Sequence, residues 1–204
     1  MSRIKKITAL TLSAVMLGSA GSLFAACPLP LGWYIEGDVG SSRITNQNYG
    51  AGTYNSNSGF AGGANIGYKF MPYFAGEIGY TYYAQAKIKN SADGVQVAKS
   101  PHYSYDIAGK GILPLSDSGF ELFAKLGAAR MNSHTSISNA TEVSNFGLNI
   151  NAGSKNSTSL LYGVGADYSF FPYLQGVIQW VRVQGNNSTG RGDLYSIGLS
   201  YILS

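Results

Sequence analysis

The feature that most constrains this chain is an alternation of apolar and polar residues, repeated in eight segments of about 10–14 residues. A period of two puts successive side chains on opposite faces of a strand. No stretch after residue 26 has the roughly 18 apolar residues of a transmembrane helix, so the pattern predicts strands. The predicted strands are 32–42, 59–70, 73–85, 102–114, 119–132, 158–171, 173–184 and 193–203.

The two faces of these predicted strands differ in composition. In 102–114, Tyr103 and Ile107 share one face, whereas Asp106 and Lys110 share the other. With 27 glycines and only 12% charged residues in the chain, the polar face is too rich in small residues for a solvated surface, and the apolar face has too much bulk for a small interior. An apolar face toward lipid and a polar face toward a lumen are typical of outer-membrane barrels. We therefore predict an all-β fold, an eight-stranded antiparallel up-and-down transmembrane β-barrel.

One hairpin occurs twice in the sequence. Residues 68–80 (YKFMPYFAGEIGY) and 168–180 (YSFFPYLQGVIQW) share six identities at an offset of 100. Each copy has an aromatic strand end and a tight turn that contains proline. Aromatic side chains prefer the membrane interface, and we predict an aromatic girdle formed by Tyr68, Phe70, Tyr168, Phe170 and Trp180.

The predicted connections alternate in length. The links at 71–72, 116–119 and 171–172 are short, whereas those at 43–58, 86–101, 133–157 and 185–192 are longer and rich in Asn, Ser, Gly and Thr. Because outer-membrane barrels have short periplasmic turns and long external loops, we expect extracellular loops and periplasmic termini. The last strand carries a polar, a Gly, an aromatic and an apolar residue at Ser196, Gly198, Tyr201 and Leu203, and this spacing resembles the C-terminal signal that the barrel-assembly machinery recognises.

The first 26 residues are predicted to be a secretory signal peptide, and residues 27–204 the barrel domain. A basic start, an apolar middle and small residues at the end favour a signal over a membrane anchor. Cys27 follows a sequence close to the lipobox of lipoproteins, so one prediction is that it is lipidated. The alternative is ordinary signal-peptidase cleavage at Ala25 or Ala26, without lipidation. Without Arg3, Lys5 and Lys6, 11 basic residues remain against 10 acidic ones, and no basic patch points to nucleic acid.

The mature chain resembles the OmpA-type eight-stranded outer-membrane barrels, including the opacity-protein relatives. This resemblance implies the same fold and a bacterial outer-membrane location. It ends at the barrel, so we expect no peptidoglycan-binding domain. The segments that carry it are GWYIEGDVG, NIGYKFMPYFAGEIGYTYY, GKGILPLSDSGFELFAKLGAAR, GVGADYSFFPYLQGVIQW and LYSIGLSYIL.

The same resemblance implies a salt-bridge gate in the lumen. Its positions correspond to Glu77, Lys110, Asp167 and Val177, so the expected strand-7 arginine is absent, and Lys125 is a possible substitute. We favour a static charge network over a switchable gate, because buried charges need partners for stability alone and an eight-stranded barrel has room only for side chains. The network is predicted to include Glu36, Asp38, Glu77, Lys110, Lys125 and Asp167, with Lys69, Asp106 and Glu121.

Three further motifs are candidate sites. Arg191, Gly192 and Asp193 spell an integrin-recognition tripeptide in a predicted loop, against the alternative of a Gly-rich turn. His134 and Ser136, with Glu142, resemble the His-x-Ser of lipid A deacylases in a segment where Ser is abundant. Rim arginines are candidates for contact with lipopolysaccharide phosphates or for simple snorkelling; they are Arg43, Arg130 and Arg182.

We predict a small non-enzymatic outer-membrane barrel with adhesive or antigenic loops. The alternatives are a lipid A-modifying enzyme and a narrow ion pore. The expected partners are outer-membrane lipid, lipopolysaccharide, the barrel-assembly machinery and a host-cell surface ligand of the loops. No catalytic residue, metal or cofactor is predicted.

Overall fold

The computed structural model describes residues 30–45, 53–56, 58–115, 118–150 and 152–203. The predicted signal peptide and Cys27 lie outside these ranges. The described residues form strands β1 (Gly32–Thr45), β2 (Thr53–Ser56), β3 (Ser58–Met71), β4 (Phe74–Asn90), β5 (Gln96–Pro114), β6 (Phe120–Ile137), β7 (Gly153–Phe171), β8 (Leu174–Asn186) and β9 (Gly190–Leu203), and helix α1 (Ala140–Asn145).

The strands close into one antiparallel barrel. Their order is β2-β4-β3-β1-β9-β8-β7-β6-β5, and β5 pairs with β4 to complete the circle. β2 and β3 pair with successive parts of β4, so they occupy one position and the barrel has eight strands around its circumference. Closure pairs the backbone groups of the strands, as a lipid environment requires. The predicted fold is confirmed.

The two faces of the wall are inverted relative to those of a water-soluble barrel. The outward Ile107 is 64% exposed, whereas the inward Lys110 is 4% exposed. Small residues make room for the larger inward side chains. A side chain at Gly67 would overlap the Tyr34 ring, and one at Gly165 would overlap Phe123. The glycine-rich inner face therefore fits a lumen that is filled by side chains.

The duplicated hairpin forms two matching turns. Residues 72–73 join β3 to β4, and residues 172–173 join β7 to β8. In both copies the register shifts just before the turn. The carbonyl of Tyr73 accepts a hydrogen bond from Ile112, and the carbonyl of Tyr173 accepts one from Ile202. These turns and the end of the barrel where β5 leads to β6 mark the "turn end"; the opposite end is the "loop end".

The predicted long loops were wrong in extent, because the strands continue well past their predicted ends. β4 and β5 are joined by residues 91–95 alone, and β8 and β9 by residues 187–189. Of residues 133–157, only 138–152 lie between β6 and β7. These strand extensions are rich in Ser, Asn and Lys, and their outward positions carry polar residues such as Lys87 and Lys99, so they lack the apolar-outward alternation from which strands were predicted. None of the described helices is long and apolar enough to cross a membrane.

Candidate functional site

A charged layer crosses the middle of the lumen. Lys110 Nζ lies 3.0 Å from Asp167 Oδ2, 3.7 Å from Glu77 Oε1 and 3.8 Å from Glu36 Oε2. Lys125 Nζ lies 2.7 Å from Glu77 Oε2 and 3.5 Å from Glu36 Oε1. All five side chains are buried. Lys125 thus supplies to Glu77 the cation that the resemblance placed on the strand of Val177.

The charged layer rests on an apolar layer near the turn end. Its members are Tyr34, Ala75, Ile112, Phe123, Val177 and Ile202. The Tyr34 hydroxyl donates to Glu77 Oε1 at 2.5 Å, and Lys110 Nζ lies 4.0 Å from the centre of the Phe123 ring. Beside this layer, Lys69 pairs with Glu121 at 2.9 Å. The lysines are therefore held by carboxylates and by aromatic faces.

A polar layer lies on the other side of the charged one. Gln179 Nε2 donates to Glu36 Oε1 at 3.0 Å and to Asp38 Oδ2 at 3.3 Å. Asn65 Nδ2 donates to Glu36 Oε1 at 3.1 Å. Asp38 is thus linked to the charged layer through Gln179, and among the described residues it has no salt bridge.

A second apolar layer fills the lumen toward the loop end. All eight strand positions around the barrel contribute at least one buried side chain to it, and we call it the outer plug. Its members are Ile44, Ala61, Tyr83, Ala108, Ala129, Met131, Leu161, Val183 and Leu194. Tyr83, Met131 and Val183 are at most 1% exposed. The charged layer is therefore enclosed between two apolar layers.

The sequence analysis missed the outer plug. The signal was present, because Tyr83 lies six residues from Glu77, and Met131 lies six residues from Lys125. An even spacing along a regular strand puts two residues on the same face. The inner face thus changes from charged to apolar toward the loop end.

A small second core lies beyond the barrel at the loop end. Ala86, Ile88, Val97 and Ala98 of the β4–β5 hairpin pack with Val143, Leu148 and Ile150 of the β6–β7 connection. We call this the loop cap. Helix α1 begins after Asn139, whose side chain accepts a hydrogen bond from the Glu142 amide at 3.1 Å. The β6–β7 connection is thus fixed onto the extended hairpin.

Two carboxylates meet at the edge of the loop cap. Glu142 also accepts a hydrogen bond from Asn90 Nδ2 at 3.3 Å. A hydrogen bond with Asp93 raises the pKa of Glu142. The hydrogen bond from the Val95 amide, and then the one with Glu142, lower the pKa of Asp93. When the pair holds a single proton, that proton therefore favours Glu142, and Asp93 is ionised.

Three lysines lie on the outer side of the same hairpin. Lys87 and Lys99 are directly opposite each other on β4 and β5, and Lys89 is two residues further along β4. Lys87 and Lys99 are exposed. Within the described ranges, none of the three forms a salt bridge. Like charges directly across a strand pair are destabilising, so this arrangement has a cost in stability.

The predicted His–Ser pair is not assembled as expected. His134 Nδ1 lies 2.8 Å from Ser154 Oγ on β7, rather than beside Ser136. Glu142 contacts Asn90 and Asp93 instead of His134. Within the described part of the chain, no group of three or more His, Cys, Asp and Glu side chains is arranged to hold a metal ion.

The Arg191–Gly192–Asp193 motif lies in strand β9 rather than in a loop. Asp193 is buried and accepts hydrogen bonds from Arg182 Nε at 2.6 Å and from Trp180 Nε1 at 3.3 Å. A side chain at Gly192 would meet Met131 and Tyr83 of the outer plug. The motif is therefore part of the wall, and its carboxylate is already engaged.

The predicted girdle residues lie at two levels. Tyr68, Phe70, Tyr168 and Phe170 lie near the turn end, where the Trp33–Tyr68 and Tyr168–Phe170 ring centres are 5.1 and 5.2 Å apart. Trp180 lies toward the loop end instead, 5.8 Å from Tyr162. On the far side of that end, rings also meet between Tyr80, Tyr103 and Tyr105.

Comparison with known proteins places these features in a family. The model of the OmpA-like transmembrane domain family matches residues 31–202. An uncharacterized protein of Coxiella burnetii (strain RSA 493 / Nine Mile phase I) is 29% identical over 213 residues, covering 83% of this chain and 84% of that protein.

Two solved structures share the fold. The outer membrane protein OprG of Pseudomonas aeruginosa superposes with a TM-score of 0.63 at 13% identity, covering 85% of this chain and 96% of OprG. Ail, the attachment invasion locus protein of Yersinia pestis, in complex with the heparin analogue sucrose octasulfate, has a TM-score of 0.54 at 16% identity, covering 85% of this chain and 100% of Ail.

Proposed function

The chain belongs to the OmpA-like transmembrane domain family, and from that premise we propose that it is a non-enzymatic surface protein that works through the loop end of its barrel. In this proposal the loop end faces the outside of a bacterial cell, and both termini face the periplasm. Outer-membrane barrels have short periplasmic turns and longer external connections, which supports this orientation. Outer-membrane lipid and lipopolysaccharide would surround the wall, and the barrel-assembly machinery would insert it.

The observation that carries the proposal is the loop cap. Its apolar residues pack beyond the barrel, so they are not needed to keep the wall in lipid. Packing of Val143 and Leu148 against the β4–β5 hairpin gives the cap a defined shape. A preorganised surface loses less entropy on binding than a mobile loop does. The loop end therefore suits an adhesive role better than a purely structural one.

The lysines beside the cap indicate the class of ligand. Lys87, Lys89 and Lys99 put three positive charges on one hairpin, and within the described residues no carboxylate neutralises them through a salt bridge. Lys99 lies four residues from Tyr103 in the direction of the loop end, so it is about 10 Å further along the barrel axis than the Tyr103 ring. A sulfated or otherwise polyanionic glycan would satisfy these charges. Ail was solved with a sulfated sugar, which is a precedent for the same fold.

Binding of labelled heparin to cells that display the protein tests the proposal. We expect the double variant Lys87→Gln/Lys99→Gln to bind at least tenfold more weakly, and sucrose octasulfate to compete with heparin for the unaltered protein. Lys155→Gln is the matched control, because Lys155 is an exposed lysine on β7. Equal binding by the double variant and by the control would remove the glycan from the proposal. If residues at the loop end could not be labelled on intact cells, the proposed orientation would be wrong.

Two alternative functions, a lipid A-modifying enzyme and a narrow pore, have their own tests. A lipid A-modifying enzyme would need the His134–Ser154 pair, and mass spectrometry of lipid A from cells with and without the gene would reveal its product. A narrow pore would need a path through the outer plug and the charged layer. The enclosure of the charged layer between apolar layers argues against conduction, so we favour the surface-binding role.

A further inference from the structure

We propose that the face formed by β8, β9 and β1 binds a phosphorylated, acylated glycolipid of the lipid A type. Three arginines and one carboxylate lie close together at the loop end of this face, directly beyond an apolar groove in the lipid-facing wall. The inference rests on the orientation given in the proposed function, because lipid A-type glycolipids belong to the outer leaflet.

The arginine cluster is set by strand register. Arg182 on β8 and Arg43 on β1 both lie directly across from Asp193 on β9. Arg191, two residues along β9, has its Nε 4.0 Å from Asp193 Oδ2. Arg182 and Arg191 thus pair with Asp193, and Arg43 lies on the neighbouring strand without a salt bridge to it, so three arginines accompany one carboxylate and two positive charges are in excess. Two strand spacings separate β8 from β1, so the cluster is about 10 Å wide.

Arg182 is held by its neighbours, whereas Arg191 and Arg43 have hydrogen-bond donors or charge that no described residue uses. Arg182 lies over the Trp180 ring at 5.0 Å and pairs with Asp193 at 2.6 Å. By contrast, the buried Nε of Arg191 has no hydrogen-bond partner among the described residues. Arg43 is exposed and forms no salt bridge within them. Guanidinium groups match phosphate oxygens well, so an anion at this point would supply the missing acceptors.

The apolar groove lies immediately below the cluster. Its volume is about 770 Å³ and its walls include Val39, Val164, Ile178 and Ile197. Trp180 and Tyr195 lie at its upper end and face each other across β8 and β9. The Arg182–Asp193 level is two residues further on, which is about 5 Å along the barrel axis. Hydrocarbon in the groove would therefore place its headgroup at the arginines.

The width and the charge of the cluster favour one kind of headgroup. A glycerophospholipid offers a single phosphodiester, which needs only one of the arginines. A sugar headgroup with two phosphate monoesters can reach both edges of a cluster about 10 Å wide. Each phosphate would also supply at least the one negative charge that an excess arginine needs. We therefore assign the site to a diphosphorylated glycolipid rather than to any anionic lipid.

The test uses Trp180 as its reporter. The chain has two tryptophans, so Trp33→Phe leaves Trp180 alone in the groove. Diphosphoryl lipid A is titrated into this protein in zwitterionic micelles, and Trp180 emission is followed. We expect a saturable change that is absent with fully dephosphorylated lipid A. Heat-modifiable gel mobility verifies that each variant is folded.

Two variants probe the two parts of the site. Arg43→Gln is expected to raise the apparent Kd about tenfold or more, the effect of losing one charge-assisted hydrogen bond. Val164→Phe narrows the groove at unchanged charge and is expected to weaken binding several-fold. Arg130→Gln is the matched control, because Arg130 is an outward arginine on β6, away from the cluster.

Three results would overturn the assignment. They are a change that does not saturate, equal affinity for phosphatidylglycerol, and equal weakening by Arg130→Gln and Arg43→Gln. Because the assay uses purified protein and reads only Trp180, these results leave the glycan binding of Lys87 and Lys99 untouched. Conversely, loss of the glycan proposal would not alter the titration.

Discussion

The lysines inside the barrel and those outside it are treated in opposite ways. Lys110 and Lys125 are each within 4 Å of at least two carboxylates. Lys87 and Lys99 face each other across two strands and have no salt bridge among the described residues. A buried charge must be paired for the fold to be stable, whereas an exposed charge can be left for a partner. We therefore propose that the interior charges stabilise the fold and that the exterior charges bind a ligand.

Replacing an interior lysine should have the largest effect. Lys110→Met leaves Asp167 without its cation and removes one of the two lysines that pair with Glu77. We expect a loss of about 3–5 kcal/mol in the free energy of unfolding, measured by denaturant titration in lipid vesicles. Heparin binding should be unchanged in the folded fraction. Lys155→Met is the control and should cost less than about 0.5 kcal/mol; equal stability of the two variants would contradict the structural role of Lys110.

Creating a cavity in the outer plug should have the second-largest effect on the free energy of unfolding. Met131 is fully buried in the plug, and Met131→Ala should cost about 2–5 kcal/mol. The variant should still not conduct ions, because the charged layer and the lower apolar layer remain. On the same strand Leu126 is 63% exposed toward lipid, so Leu126→Ala should cost distinctly less. Equal costs for the two variants would mean that Met131 is not packed as described.

A charge reversal outside should produce a small effect of the opposite sign. Lys99→Glu converts a repulsive cross-strand pair with Lys87 into an attractive one. The expected gain in the free energy of unfolding is about 0.2–1 kcal/mol, together with loss of heparin binding. A stabilised variant that still binds heparin would separate the lysine pair from the binding surface. Loss of stability would contradict the observed register.

The smallest predicted effect is on the pH dependence of the loop cap. The pKa of Glu142 is raised in the folded protein, so its contribution is present below its unfolded pKa of about 4.3 and is lost as pH rises through the folded value. The pKa of Asp93 is lowered, so its contribution is present above its unfolded pKa of about 3.9 and is lost as pH falls through the folded value.

The Asp93–Glu142 contact should therefore be strongest near about pH 4–5 and weaker at neutral pH. Hydrogen exchange of residues 138–150, corrected for intrinsic rates, measures this. Glu142→Gln keeps a hydrogen-bonding group without a titration, so it should remove the upper limb of the pH dependence. Identical profiles for Glu142→Gln and the unaltered chain would show that the contact does not titrate.

The wall and the turn end could be predicted from the sequence because both depend on local pattern. Alternation assigned Ile107 and Lys110 to opposite faces, and Pro72 and Pro172 marked the turns. The charged layer was also within reach, since Glu77, Lys110 and Asp167 share the inner face and the resemblance grouped them. Lys125 meets Glu77 because the barrel closes, which is a long-range consequence that local pattern does not contain.

The loop end could not be predicted in the same way. There Ala86 and Ile88 are buried and Lys87 is exposed, so the alternation continues with polar residues outward, and this stretch did not match the apolar-outward pattern of the wall. A register shift between Tyr83 and Ala86 also changes which residues face inward, and the local sequence pattern does not predict this shift. The Arg182–Asp193–Arg43 cluster depends on the register of three strands, two of them at opposite ends of the chain.

The central claim is that the barrel is a sealed scaffold and works only through its outer surface. Single-channel recording in planar bilayers tests it most directly, with insertion verified by a fluorescent label on the protein. The side chains of the outer plug, the charged layer and the lower apolar layer fill the lumen. We predict no conductance steps over many verified insertions. Reproducible unitary steps from the unaltered protein would contradict the sealed lumen.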